Sequence, residues 1–309
     1  MTIKPHSSFF KTRGILVGKN NPKFFREGTL DNSGLPFQAV NFGVKTSPEQ
    51  IVYVESFGVK LDKAYAWSKT EKKSLPINWD ERYTVKLPDS YRLITPDWDI
   101  IDKIQNDFND GDSILITGEL DYQESNDKLY VKQIVKNIFK TKVDVEFEAE
   151  GFEEEAIFTQ EITINTVEYV KEEGKIYVNA FIFAKAKSKD KPTNITPAVF
   201  IVEPDKDKKF ANNVMKLKYG DTIKVDGLIH SRAVAQEVEE DDGWGKKHKI
   251  INSKRREYEI IGAHPESYQQ KLYKEEDIQK AYEALQPHKD FGSDDTPFPQ
   301  DEDIPDFLK

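Results

Sequence analysis

The sequence predicts a mainly β protein built as two tandem five-stranded Greek-key barrels with short helices, and three observations point there. First, Gly111-Asp112-Ser113-Ile114-Leu115-Ile116-Thr117-Gly118-Glu119-Leu120 recurs as Gly220-Asp221-Thr222-Ile223-Lys224-Val225-Asp226-Gly227-Leu228-Ile229. Second, each copy opens on a Gly-Asp turn, runs through β-favouring residues and places another glycine seven positions on. Glycine inside a strand marks a bulge or a close approach of two backbones. Third, a helix-like segment precedes each copy, Asp97 to Phe108 and Asp205 to Tyr219. Helix, turn, bent strand and one further strand is how the barrel called an OB-fold closes.

The elements are expected in this order. Residues 1–12 carry Lys4, Phe9, Phe10 and Lys11 without a period and read as an arm. Thr12 to Val17 is a first strand, broken by Gly18-Lys19-Asn20-Asn21-Pro22. Pro36 to Lys45 alternates, with Val40, Phe42 and Val44 on one face and Phe37, Asn41 and Lys45 on the other. In Ile51 to Lys60, Tyr53 and Phe57 oppose Val52 and Val54; both faces carry apolar residues, so the pattern leaves the buried face open. Leu61 to Thr95 is too long for an ordinary barrel loop, and a long insertion in a small domain is more often functional than not. Thr95 is the expected cap of the following helix, with Pro96 at its first position. Gly111–Leu120 and Lys128–Phe139 then complete a first domain over residues 1–142.

An acid-rich stretch, 143–155, reads as the connection to a second domain over 156–285. Its strands are Ala156–Val170, Lys175–Lys187 and Thr196–Glu203, then the repeated strand and a last one around Arg256–Ile261. Ala233 to Lys254 reads as an extended hairpin loop, and Pro265 to Leu285 as helical. Residues 286–309 lose periodicity, become Pro- and Asp-rich, and read as a disordered acidic tail.

Composition bounds the chemistry. The chain has 309 residues and no cysteine, which removes disulfides, thiolate zinc sites and cysteine nucleophiles. No apolar run approaches the ~20 residues of a spanning helix and nothing resembles a signal peptide, so a soluble, cytoplasmic protein with no membrane partner is expected. The net charge of −10 is unevenly spread. Met1 to Thr95 holds 15 Lys and Arg against 9 Asp and Glu, whereas Gln286 to Lys309 holds two lysines against seven acids. A basic, aromatic-rich front and an acidic tail imply two different partners.

Single-stranded nucleic acid exposes base faces and phosphates together, so its binders combine flat side chains with cations. The stacking candidates are Phe37, Tyr53, Phe57, Tyr65, Trp67, Trp79 and Tyr83, with Lys11, Arg13, Lys45, Lys60, Lys63 and Arg82 as phosphate partners. A barrel core has no room for all of these aromatics. A second group, Trp244 between two glycines with Lys246 and Lys247 beside it, sits at the tip of the long hairpin. Catalysis and cofactors find little support. The run Pro96-Asp97-Trp98-Asp99-Ile100-Ile101-Asp102-Lys103 superficially matches nuclease elements, but acids at a helix start are expected anyway. No Gly-rich Lys-Ser/Thr phosphate loop is present, and the five histidines show neither metal-ligand nor triad spacing.

The tail is the most specific motif. Asp301-Glu302-Asp303-Ile304-Pro305-Asp306-Phe307-Leu308-Lys309 resembles the acidic tail of bacterial and phage single-stranded DNA-binding proteins, and Asp294-Asp295-Thr296-Pro297-Phe298 is a looser copy. Residues 12–262 resemble the two-barrel members of that family more loosely, the phage-encoded ones most. The resemblance implies a non-enzymatic protein that coats single-stranded DNA in replication, recombination and repair, in the host cytoplasm if phage-encoded. Its tail, through Asp301, Glu302, Asp303, Ile304, Pro305 and Phe307, would recruit polymerase, helicase or recombinase. Two departures weaken the match: Asp306 separates Pro305 from Phe307, and Leu308-Lys309 follows the phenylalanine. The rivals are a protein-interaction adaptor and, behind it, a metal-dependent nuclease.

Overall fold

The computed structural model describes residues 3–125, 128–184, 194–241 and 246–285. Its first half runs β1 (Ser8–Val17), β2 (Phe25–Thr29), β3 (Pro36–Ser47), β4 (Gln50–Val59), β5 (Lys63–Ser68), β6 (Lys73–Asn78), β7 (Tyr91–Ile94), α1 (Asp97–Asp107), β8 (Ser113–Ser125) and β9 (Lys128–Lys140). The second half runs β10 (Glu155–Val170), β11 (Lys175–Ala184), β12 (Asn194–Val202), α2 (Lys208–Val214), β13 (Thr222–Asp241), β14 (Lys246–Gln269) and α3 (Glu275–Leu285). Strands β1, β3, β4, β9 and β8 pair in that order and close back on β1. Strands β10, β11, β12, β14 and β13 do the same. Each ring has one parallel pair, β4–β9 and β12–β14, the mark of the Greek-key closure.

The repeated segment fixes both closures in the same way. Gly111 (φ 91°) and Gly220 (φ 81°) adopt the left-handed turn that glycine tolerates. Asp112 accepts the amide of Asn109 and Asp221 that of Lys218, each at 2.9 Å. The ladder bulges at the second glycine of each copy, between Thr117 and Gly118 and between Asp226 and Gly227. In β4 the residues facing the core are Val52 and Val54, so Tyr53 and Phe57 take the outer face that the pattern had left open.

Several boundaries differ from expectation. The arm is in part a strand: β1 begins at Ser8, and Phe10 and Thr12 are fully buried. The first part of β1 pairs with β10, from Ser8↔Gln160 to Arg13↔Glu155, a partner about 150 residues away that local pattern cannot reveal. The cap of α1 is Pro96 in extended conformation with no side-chain bond, rather than Thr95, and the first-turn acids Asp97 and Asp99 bond to Lys136 and Arg82. The α2 helix spans only Lys208–Val214, capped by Asp207 on the amide of Phe210. Residues 233–241 and 246–254 are regular antiparallel ribbon rather than loop, and β14 continues to Gln269, so only Glu275–Leu285 is helical. The acidic connection lies on the first barrel: Val145 donates to Ser113 Oγ, and Glu154 accepts from Thr46 and Gln50.

The barrels also grip each other reciprocally. The base of the β13–β14 ribbon meets the start of β4, where Gln50 donates to the carbonyl of Ile229 and accepts the amide of Ser231. The β8–β9 hairpin in turn meets β12, where Thr196 donates to the carbonyl of Tyr122. Among the described residues no helix is long and apolar enough to cross a membrane.

Candidate nucleic-acid interface

The insertion folds as a small sheet, β6-β5-β7, set beside the first barrel. Along β5, Ala64, Ala66 and Ser68 face inward while Lys63, Tyr65 and Trp67 face out. Tyr65 is 45% exposed and Trp67 40%, high values for large aromatic rings. Their cross-strand neighbours on β7 are Ile94, also exposed, and Arg92.

Between this sheet and the barrel runs an open groove. Phe57 and Val59 of β4, Glu119 of β8, and Lys136 and Asn137 of β9 form one wall; Lys63, Tyr65, Leu93 and Ile94 form the other. Phe57 stacks on Phe37 of the neighbouring strand, ring centroids 5.5 Å apart at 30°. Lys63 is exposed on one lip, and Lys60 stands exposed just beyond the end of β4. The groove thus gathers Phe57, Tyr65 and Lys63, with Phe37 stacked on Phe57 outside its lining and Trp67 extending the outer face of β5.

Trp79 also lines the groove, though most of its ring is covered, and Arg82 is engaged within the fold. Trp79 is only 7% exposed, and the Arg82 guanidinium covers its ring at 4.3 Å. Arg82 is held by Asp99 through two bonds of 2.7 and 2.8 Å, which hold its pKa above the ordinary value. Its charge is therefore spent within the fold, pinning the insertion to the start of α1. Tyr83 is 64% exposed, yet its hydroxyl donates to the same Asp99 at 2.7 Å.

The other predicted cations lie away from the groove. Lys11 and Arg13 pair with Glu155, and Arg13 also donates to the carbonyl of Glu153. Lys45 lies 5.6 Å from the centre of the Phe147 ring. Lys11 and Arg13 thus each hold an ion pair to the end of the acid-rich connection and do not line the groove. Tyr53 is half-buried, and Arg256 of the second barrel approaches its ring at 6.0 Å. Trp244 and the tail residues Asp301 to Phe307 lie outside the described residues. Lys246 and Lys247 begin the described backbone of β14.

Among the groove residues that sequence reasoning passed over are Lys136, Asn137 and Glu119. Lysines at 128, 132, 136 and 140 recur every fourth position along one strand, a period-two signal that was available. Lys136 is tied to Asp97 at 2.9 Å, and Lys132 to Glu55 at 3.2 Å. Burial pushes the carboxyl of Glu55 above its ordinary pKa, and Lys132 opposes that shift.

The family described as YorF matches residues 23–294. The chain belongs to the YorF family. That match takes in both barrels almost entire, together with the insertion and α3. No curated protein matches this YorF-family chain. Among solved structures it is similar to the wild-type single-stranded DNA binding protein from Thermus aquaticus, at 11% identity and a TM-score of 0.41, over 84% of this chain and 93% of that one. A deletion mutant of the same Thermus aquaticus protein gives 11% identity and a TM-score of 0.40, over 84% and 94%.

Proposed function

We propose that this chain binds single-stranded DNA along the groove of the first barrel, without sequence preference and without catalysing a reaction on it. The observation that supports the reading is the pairing of the Phe37–Phe57 stack with Tyr65 across an open groove, with Trp67 on the continuing face. The exposed rings of Tyr65 and Trp67 and the partly exposed ring of Phe57 can each accept a base, and stacking contributes ~1–3 kcal/mol per base whatever its identity. Lys60 and Lys63, beside Lys69, Lys72 and Lys73 on the insertion, supply cations for the phosphates. Asp97 and Glu119 line the same groove, so the backbone runs along the insertion lip rather than the groove floor.

In this reading the chain coats exposed strands during replication, recombination or repair. The acidic tail, from Asp301 to Phe307, then recruits proteins with basic pockets. The test is tryptophan fluorescence during titration of the full chain with a dT oligomer at low and high salt. Quenching that weakens with salt, and disappears in Trp67→Phe, is the expected result. Absence of quenching at low salt, with no retardation of the oligomer on a gel, would sink the proposal and favour a protein-binding adaptor.

A further inference from the structure

The two barrels close their ends unequally. In the first, α1 buries Ile100, Ile101 and Ile104 into the barrel mouth, followed by Phe108. In the second, α2 has seven residues and buries only Ala211 and Val214. The strand opposite is also smaller. Ile116↔Ile138 in the first barrel and Val225↔Ala263 in the second are equivalent pairs, each two residues before the bulge glycine. The result is an apolar recess of about 360 Å³ beneath α2, lined by Ile162, Val178, Phe210, Leu217, Ile260 and Ala263 among others. That is a volume at which pockets begin to hold ligands.

We propose that this recess is the docking site for the C-terminal segment of the same chain, with Phe307 and its neighbours Ile304 and Leu308 entering it. Three features carry the choice of occupant. Position is the first: Tyr268 lines the recess and donates to Asp221, and the next residue back, Gly220, lies against Tyr273 at the root of α3. The root of α3 thus lies next to a recess-lining segment, and Ile304 follows Leu285, the end of α3, by a span that reaches up to ~60 Å when extended, long enough to return to the recess. Charge is the second. Lys216 lines the rim, and Lys208, Lys209 and Lys218 are exposed on the same segment, whereas the tail brings Asp301, Glu302, Asp303 and Asp306. The nearby acid Glu266 is bonded to His264. Chemistry is the third: an acidic stretch that ends in Ile, Phe and Leu fits a dry recess with a cationic edge. The site lies under α2, apart from the groove of the first barrel, and the inference does not depend on what that groove binds.

The absence of cysteine makes disulfide trapping a direct test in the full chain. Asn213→Cys at the recess is combined with Asp306→Cys in the tail. The control pair is Asn137→Cys in the groove with the same tail cysteine. The recess pair should give an intramolecular disulfide at least ~10-fold faster than the control, as a docked segment raises its local concentration. Adding Phe307→Ser and Leu308→Ser, which leaves the barrel untouched, should bring that rate down to the control level. Filling the recess by Ala263→Phe should do the same. Faster bridging of the groove pair, equal slow bridging of both, or products that join only two separate chains would each overturn the proposal; the last would make a second copy the occupant.

Discussion

Phe10 and Phe158 stand directly opposite each other where β1 pairs with β10, and each ring lies over the bulge glycine of its own barrel. A Cβ on Gly118 would come within 2.6 Å of the Phe10 ring and 1.9 Å of the Ile134 carbonyl oxygen. On Gly227 the corresponding distances are 2.3 Å to Phe158 and 2.2 Å to the Glu259 carbonyl oxygen. The two barrels are thus related by a local two-fold through this pair of rings.

That symmetry makes a paired prediction. Gly118→Ala and Gly227→Ala should each destabilise the fold by roughly 1–3 kcal/mol or more, the range for overpacking. Because a backbone oxygen is the nearer obstacle in both cases, adding Phe10→Leu or Phe158→Leu should not restore stability. Urea unfolding followed by circular dichroism measures all of these.

Under the proposed function, Phe57→Ala should weaken binding to a dT oligomer by ~1–3 kcal/mol, or about 5- to 150-fold. Trp67→Ala should lie in the same range. Tyr53→Ala should change affinity far less, since its ring meets Arg256 rather than the groove. Fluorescence anisotropy of a labelled oligomer gives the comparison.

The salt dependence separates useful cations from spent ones. Lys63→Ala should lower the slope of log K against log salt by about 0.7, the value for one phosphate contact on a single strand. Lys11→Ala and Arg82→Ala should leave the slope unchanged, because Glu155 and Asp99 already hold those charges. Arg82→Ala should instead lower stability, uncovering Trp79, which its own fluorescence maximum would report.

His6 gives a pH prediction. Its ring packs 4.4 Å from Phe183, accepts the Phe183 amide at Nδ1, and burial lowers its pKa to about 3. The unfolded chain, with a histidine pKa near 6.5, therefore binds the proton more readily than the folded one. Its contribution to stability is complete above pH 6.5 and is lost as pH falls towards 3, at roughly 1.4 kcal/mol per pH unit. Denaturation of the wild type and of His6→Gln between pH 7 and 4 should show a steeper fall in the wild type.

What the sequence disclosed follows from range. Gly111, Gly118, Gly220 and Gly227 were legible because a turn and a bulge constrain residues close in sequence, and β3 was legible from alternation alone. The outward rings of Tyr65 and Trp67 were legible from counting aromatics against core space. Pairings across 100 residues or more left no local trace, among them Lys11 with Glu155 and Gln50 with Ser231. The ribbon of β13 and β14 read as loop because its many charged residues leave no apolar alternation for the pattern to show. The Arg82–Asp99 pair spans only 17 residues, but a helix-start acid and an insertion arginine each have a commoner explanation.

Strand β1 has one edge on its own barrel and its first part against β10 of the other. The ribosome delivers β1 before any of its strand partners, and the last of them emerges some 150 residues later, roughly 8–30 s at ordinary elongation rates. Through that interval the nascent chain carries an open strand edge bearing Phe9 and Phe10, a template for stray pairing. The edge of β1 stays open after every strand of its own barrel has appeared, and its protection in that interval bears on how much of the protein survives to fold.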